Sequence, residues 1–256
     1  MASDLLGIGS SGLLAQQKML ATTSSNISNV STEGYTRQST VLYSNQNTLG
    51  VGDSVTRRLY SVYAQTQLWQ DTATYNQVST TYDEVSQLDK YLSNSATSLS
   101  DGIDSFFSGL QSANSSPNTT ANRQDILSQV SSLASRFQSV SSDLTDQYNG
   151  INRKITTEVK DINSLIASVS DLNAQILKTP VADDDGSRAN LLDQRDELIR
   201  QLSEKIDIRT VSQDNGTVQV NLSTGQSLVL VSDYAQLSVL DGDPDPQNTN
   251  IQIKLG

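Results

Sequence analysis

The chain of 256 residues contains no cysteine and no histidine, one tryptophan, three phenylalanines and four prolines. Without cysteine there is no disulfide and no thiolate to hold a metal. Without histidine the usual general base near neutral pH, which is also the commonest metal ligand, is missing. No stretch approaches the roughly 18 consecutive apolar residues that a membrane-spanning helix needs. The N-terminus, MASDLLGIGSSGLLAQQ, has no basic region, and Gly and Ser interrupt its apolar residues, so no cleavable signal peptide is expected. Only 35% of residues are hydrophobic and 5% aromatic, which suits elongated helices with thin cores better than a compact enzyme.

Positive charge is also scarce: 17 Lys and Arg stand against 28 Asp and Glu, a net charge of -11. That balance argues against nucleic acid and against an anionic membrane surface as partners. The imbalance is local. Residues 1–70 carry Lys18, Arg37, Arg57 and Arg58 against Asp4, Glu33 and Asp53, a net of +1, which leaves -12 for the rest. The N-terminal section therefore lacks the repulsive charge that keeps the remainder soluble, as a segment meant for a partner surface would.

What is present is periodicity. From Asp4 to Val30, Leu6, Leu13, Leu20 and Ile27 recur every seven residues and predict one narrow apolar stripe on a helix. So narrow a stripe needs a partner, and in the free monomer the helix is expected to be disordered. Its periodicity does not choose between packing on the rod of the same chain and pairing with another chain or a further C-terminal helix. A membrane-surface helix fails because the polar face offers only Lys18. Asn26, Ser28, Asn29, Ser31 and Thr32 compete with the helical backbone for hydrogen bonds, and Gly34 accepts positive φ, so the helix should stop there.

RQSTVLY (37–43) and SVTRRLY (54–60) predict two strands of a hairpin around the turn NQNTLGVGD. Helical pattern resumes at Leu68 and runs to Leu99 through Tyr75, Val78, Tyr82, Val85, Leu88, Leu92 and Ala96. A short amphipathic piece at Ile103, Phe106, Phe107 and Leu110 precedes the breaker NSSPNTTAN. From about 121 to 178 apolar residues follow at steps of three or four with no proline. That is a helix on the order of 80 Å long, which must lie along other helices, most obviously 68–99. A helix over 190–205 follows, with Asn190 as N-cap and Asp193 in the capping-box position. The period then changes to two: IDIRTVS, TVQVNL after Asn215-Gly216, SLVLVS, AQLSVL and NIQIKL predict an antiparallel β unit. The expected fold is mainly α with a β domain (α+β). It divides into an assembly segment over 1–67, a long antiparallel helical bundle over 68–205, and the start of a truncated β domain over 206–256.

No catalytic, cofactor-binding or metal site emerges. Asp183, Asp184 and Asp185 before Gly186 lack the alternate spacing and distant Glu of a calcium loop. Asp241, Asp243 and Asp245 alternate, but prolines interleave and no Glu follows. Paired carboxylates for glycoside cleavage are not singled out among 28 acids, serines lack a histidine partner, and no phosphate-cradling glycine loop occurs.

Asn26, Asn29, Val30, Thr32, Gly34, Tyr35 and Arg37, in NISNVSTEGYTRQ behind an amphipathic helix, resemble the motif of the bacterial flagellar axial proteins of rod, hook and hook-associated type. Leu191, Leu192, Asp193, Gln194, Arg195 and Asp196, in ANLLDQRDELIRQLSEKIDI before a β unit, look like the hook-associated branch at the hook-filament junction. The alternatives are the second junction protein or a flagellin-like subunit and, outside the family, a secreted coiled-coil adhesin or a hydrolase in the β unit.

The resemblance implies an extracellular structural protein of the flagellum, exported by its type III apparatus without a cleaved signal. The partners it implies are further copies in a ring, the hook protein and the second junction protein (hook-associated protein 3). It also implies an export chaperone engaging a C-terminal region onto which no residue here maps. The stripe at Leu6, Leu13, Leu20 and Ile27 would then pack in the wall of a tube.

Overall fold

The computed structural model describes residues 2–44, 50–94, 98–181, 186–246 and 248–255. The elements run α1 (Ala2–Ser28), β1 (Gln38–Ser44), β2 (Val51–Arg58), α2 (Val62–Leu92), α3 (Leu99–Ser115), α4 (Thr120–Lys178), α5 (Ser187–Lys205), β3 (Ile208–Ser212), β4 (Val218–Leu222), β5 (Ser227–Leu230), β6 (Asp233–Asp241) and β7 (Thr249–Leu255). The α+β class follows. By contact the chain forms two units, Met1–Gln77 with Glu158–Gly256, and Val78–Thr157. The first and last of the three consecutive segments expected from sequence thus belong to one unit, because α4 and α5 give the β strands their core.

In that unit β3–β4–β5–β6–β7 form an antiparallel meander. The apolar faces of its strands meet α4 and α5: Ile166, Val169, Ile176, Ile199, Leu202, Val220, Leu228 and Val229 are all fully or almost fully buried. Burying such side chains contributes roughly 1.5–3 kcal/mol each before entropy is subtracted. Three polar side chains of α4 bond strand and turn backbone directly. Asn163 donates to Leu237 O and accepts from Leu237 N, both at 2.8 Å. Ser170 donates to Ser232 O at 2.8 Å. Asn173 donates to Val218 O at 2.9 Å and accepts from Val218 N at 3.2 Å. The β3–β4 turn places Gly216 at φ 89° after Asn215, with Gly216 N–H bonding Gln213 O at 2.9 Å. A side chain at 216 would be strained at that φ and would have to displace the Arg188 guanidinium, which lies against the position.

The helix expected over 68–99 is two helices. The first ends at Leu92, and Ser98 caps α3 by accepting from Asp101 N at 3.3 Å. Ala96 lies outside the described residues, as do 45–49 of the first turn and Asp183, Asp184 and Asp185.

In the second unit α2 and then α3 run antiparallel to α4. Glu84 pairs with Lys154 at 2.5 Å, Tyr91 donates to Asp143, and Arg136 donates to Ser98 O at 3.0 Å. Gly102 and Gly109 are buried in α3, where an added Cβ at Gly102 would lie 3.1 Å from Leu133, so small residues set the close approach. The expected pairing with α4 is present, yet the heptad residues point elsewhere: Tyr75, Val78, Tyr82, Val85 and Leu92 of α2 are exposed.

Helix α5 also begins differently from expectation. Gly186 is its N-cap at φ 80° with no side-chain cap. Asn190 and Asp193 lie inside the helix and bond the N-terminal segment instead.

Candidate functional site

The turn-rich stretch after α1 works as a joint. Asn29 doubles the bond to Ser25 O, which accepts from its backbone N at 3.0 Å and from its Nδ2 at 2.9 Å, while its Oδ1 accepts from Thr32 Oγ1 at 3.2 Å. Gly34 then turns the chain at φ 79°, and a Cβ there would sit 3.0 Å from Cβ of Glu197. Asn26 does not stop the helix as expected; it fastens it. Its Nδ2 donates to Gln38 O at 2.9 Å and its Oδ1 accepts from Gln38 N at 2.8 Å and from Tyr35 OH at 2.9 Å. Arg37 is exposed, and its carbonyl accepts from Leu59 N at 2.8 Å to close the hairpin.

Helix α1 lies on this hairpin by its polar side. Lys18 donates to Ser54 Oγ at 3.1 Å, Thr22 and Thr40 hydroxyls are 2.6 Å apart, and Ala15 is the buried apolar residue of the face. Such bonds stabilise by roughly 0.5–1.5 kcal/mol each. They supply the anchoring that a narrow stripe alone does not, so α1 is helical without covering that stripe. The opposite face is bare: Leu6, Leu13, Leu20 and Ile27 are 78%, 69%, 67% and 69% exposed, and Val30 is 81% exposed. Of the placements that periodicity left open, packing on the rod of the same chain is therefore not adopted.

Both motif segments meet at α5. Thr36 N donates to Asp193 Oδ2 at 3.0 Å and Gln38 Nε2 donates to Asn190 Oδ1 at 2.9 Å. Arg58, at the end of β2 and with its side chain only 2% exposed, pairs with Asp193 at 3.1 Å and Asp196 at 2.6 Å. Arg195 completes the cluster, bonding Asp196 at 2.8 Å and Gly216 O at 2.5 Å. Burial pushes the Asp193 carboxyl up, against the pull of the Thr36 amide and Arg58. Around the cluster, Leu191 and Leu192 are half-buried and Gln194 is exposed. Glu197 and Glu204 hold Arg200, which also reaches Glu33 at 3.1 Å; Arg200 in turn lowers the Glu197 carboxyl.

Sequence reasoning missed Arg58. Its partners carried a readable signal: Ala189, Asp193, Asp196 and Ser203 fall at helical spacing beside Ile199 and Leu202, so acids occupy core positions. Beside the cluster, between the hairpin and the first turn of α5, lies a cleft of about 860 Å³ lined by Tyr43, Val55, Arg57, Tyr60, Arg188 and Leu192 among others.

Among the described residues no group of three acidic side chains could hold a metal, and no helix is long and apolar enough to cross a membrane. Asp241, Asp243 and Asp245 are exposed on the turn between β6 and β7.

Residues 85–256 match the model of the flagellar hook-associated protein FlgK helical domain, and residues 6–36, which hold α1 and the joint, match that of the flagella basal body rod protein. The chain belongs to the FlgK family of flagellar hook-associated proteins. Family relatives include flagellar hook-associated protein 1 of Escherichia coli, 33% identical over 97% of this chain and 47% of the relative. That of Bacillus subtilis is 28% identical over 99% of this chain and 52% of the relative. The chain thus spans about half the length of the curated FlgK-family relatives it matches. Among solved structures, the flagellar hook junction protein FlgK from Burkholderia pseudomallei aligns with a TM-score of 0.67 at 29% identity, over 74% of this chain and 33% of that one.

Proposed function

We propose that this chain is a structural subunit of the hook-filament junction of a bacterial flagellum, needed for filament assembly and motility, and that it acts by burying the α1 stripe between subunits rather than by catalysis. The observation that carries the reading is the orientation of α1. Its polar side is used up on its own hairpin while Leu6, Leu13, Leu20 and Ile27 face outward, so assembly covers the apolar side without undoing the joint. Burying four such side chains in a neighbour's wall yields roughly 6–12 kcal/mol before ordering costs. Membership of the FlgK family and the likeness to the flagellar hook junction protein FlgK from Burkholderia pseudomallei support the location.

The partners that follow are further copies in a ring, the hook protein on one side and the second junction protein, hook-associated protein 3, on the other. The subunit is extracellular and leaves the cell through the flagellar type III apparatus, assisted by a chaperone. Leu13→Asp with Leu20→Asp is expected to leave helix content and thermal midpoint unchanged and to abolish incorporation and motility. Normal hook-filament joining by that double variant would sink the proposal.

A further inference from the structure

We infer that Gln38 is a positioning residue for assembly: with Gly34 and Thr36 it holds the segment after α1 in one register along α5, and so sets the direction in which the α1 stripe points. The inference rests on the self-assembly reading above and deepens it by naming what aims the stripe.

Alternate residues of the segment face different helices. Gly34, Thr36 and Gln38 meet α5: a Cβ on Gly34 would lie 3.0 Å from Cβ of Glu197, Thr36 N donates to Asp193 Oδ2 at 3.0 Å, and Gln38 Nε2 donates to Asn190 Oδ1 at 2.9 Å. Their partners at 197, 193 and 190 step back along one face of α5, so each step of two in the segment matches about one turn of helix. Tyr35, between them, turns to α1. Its hydroxyl donates to Asn26 Oδ1 at 2.9 Å and lies 3.3 Å from Ser25 Oγ.

Gln38 joins the two sets of contacts. Asn26 grips its backbone from α1, donating to Gln38 O at 2.9 Å and accepting from Gln38 N at 2.8 Å. Its side chain goes the other way, into the first turn of α5, and the residue is only 5% exposed. There Oε1 lies against Gly186, at 3.0 Å from where a Cβ would stand, while Nε2 has Asn190 as acceptor. A buried amide without partners is costly, so Gln38 stays where an acceptor and room are both offered. A shift of one residue would bring Arg37 or Ser39 to that place and take the Thr36 amide away from Asp193. Rotation of α1 carries Asn26, and through it Gln38, so the direction of the stripe is tied to this register. A helix aimed in advance loses little orientational freedom when a neighbour covers its stripe, whereas one that swivels must be ordered at each incorporation.

The test uses the full chain. It contains no cysteine, so Gln17→Cys on α1 and Asp171→Cys on α4, both at exposed positions, accept one spin label each. Pulsed electron-spin distance measurement should give one narrow distribution. Asn190→Leu, at an exposed position that leaves the core intact, and Gln38→Leu should each broaden it with helix content unchanged. Asn190→Asp, which keeps the acceptor, should leave it narrow. In cells, competing with wild-type chains, Gln38→Leu and Asn190→Leu should each be incorporated about tenfold less often, and Asn190→Asp as often as wild type. Distributions in the two leucine variants as narrow as in wild type, or their incorporation at the wild-type level, would overturn the positioning role. The stripe is scored separately: if Leu13→Asp with Leu20→Asp blocks incorporation while both leucine variants at 38 and 190 incorporate normally, the junction reading stands and the positioning role falls. If the stripe variant incorporates normally, the junction reading falls, and the positioning role with it.

Discussion

One helix serves two units of very different depth. In the unit of residues 78–157, α4 meets α2 and α3 along a thin seam: Val140 is buried, while Val130, Phe137 and Leu144 are exposed. In the other unit the same helix, with the same steps of three and four, buries Val159, Ile162, Ile166, Val169 and Ile176 and bonds strand backbone through Asn163, Ser170 and Asn173. Periodicity states which residues share a face. It does not state whether anything covers that face. A sheet presents a broad apolar surface that α4 fills from one side, whereas α2 meets α4 through polar contacts from Glu84 and Tyr91 and keeps Tyr75 and Tyr82 outward.

Breaking the contrast begins with the ionic cluster, which has no counterpart among the described residues of the thin unit. Arg58→Met would leave Asp193 and Asp196 buried and unpaired by β2, and a loss of about 3–5 kcal/mol in chemical denaturation is expected. A loss below 1 kcal/mol would show that water or Arg195 compensates. Next come paired truncations on α4. Ile166→Ala, at a fully buried site, should cost about 2–5 kcal/mol, while Phe137→Ala, 49% exposed, should cost less than about 1 kcal/mol in the same measurement. Equal losses would mean the seam is as well packed as the core.

The smallest effect is one of pH. Glu197 titrates below its ordinary range because Arg200 and Gln201 bond its carboxylate. Its contribution is therefore present above the unfolded value near ~4.3 and is lost as pH falls through the lower folded value. Glu197→Gln should lower the thermal midpoint slightly near neutrality, by less than about 1 kcal/mol equivalent, and the difference should vanish in acid. Asp193 shifts the opposite way, so its contribution is lost as pH rises through its folded value. Only the wild-type minus variant difference isolates Glu197.

These contrasts also mark what was legible beforehand. The strands after Lys205, the hairpin near residue 50, the unbroken α4 and the Gly34 turn were legible because each rests on local chemistry: alternation, turn residues, an absence of proline, a positive φ. The seven-residue stripe on α1 was legible as a stripe, and Asn26 as an important residue. What was hidden depends on neighbours far away in the chain. Nothing near Asp193 says that Arg58 will reach it, nor does anything near Tyr82 say that α4 will take the other side of α2. Asn190 reads as a cap only until Gln38 is known to lie against it.

The three polar contacts from α4 to the sheet have a mechanical side. Apolar packing resists separation but lets one smooth surface roll on another. Asn163 and Asn173 each grip a strand residue by both its donor and its acceptor, a helical turn and more apart, so the sheet cannot rotate about the α4 axis without breaking them. Twist applied to the helix passes to the sheet without slip, which is the behaviour of a keyed shaft.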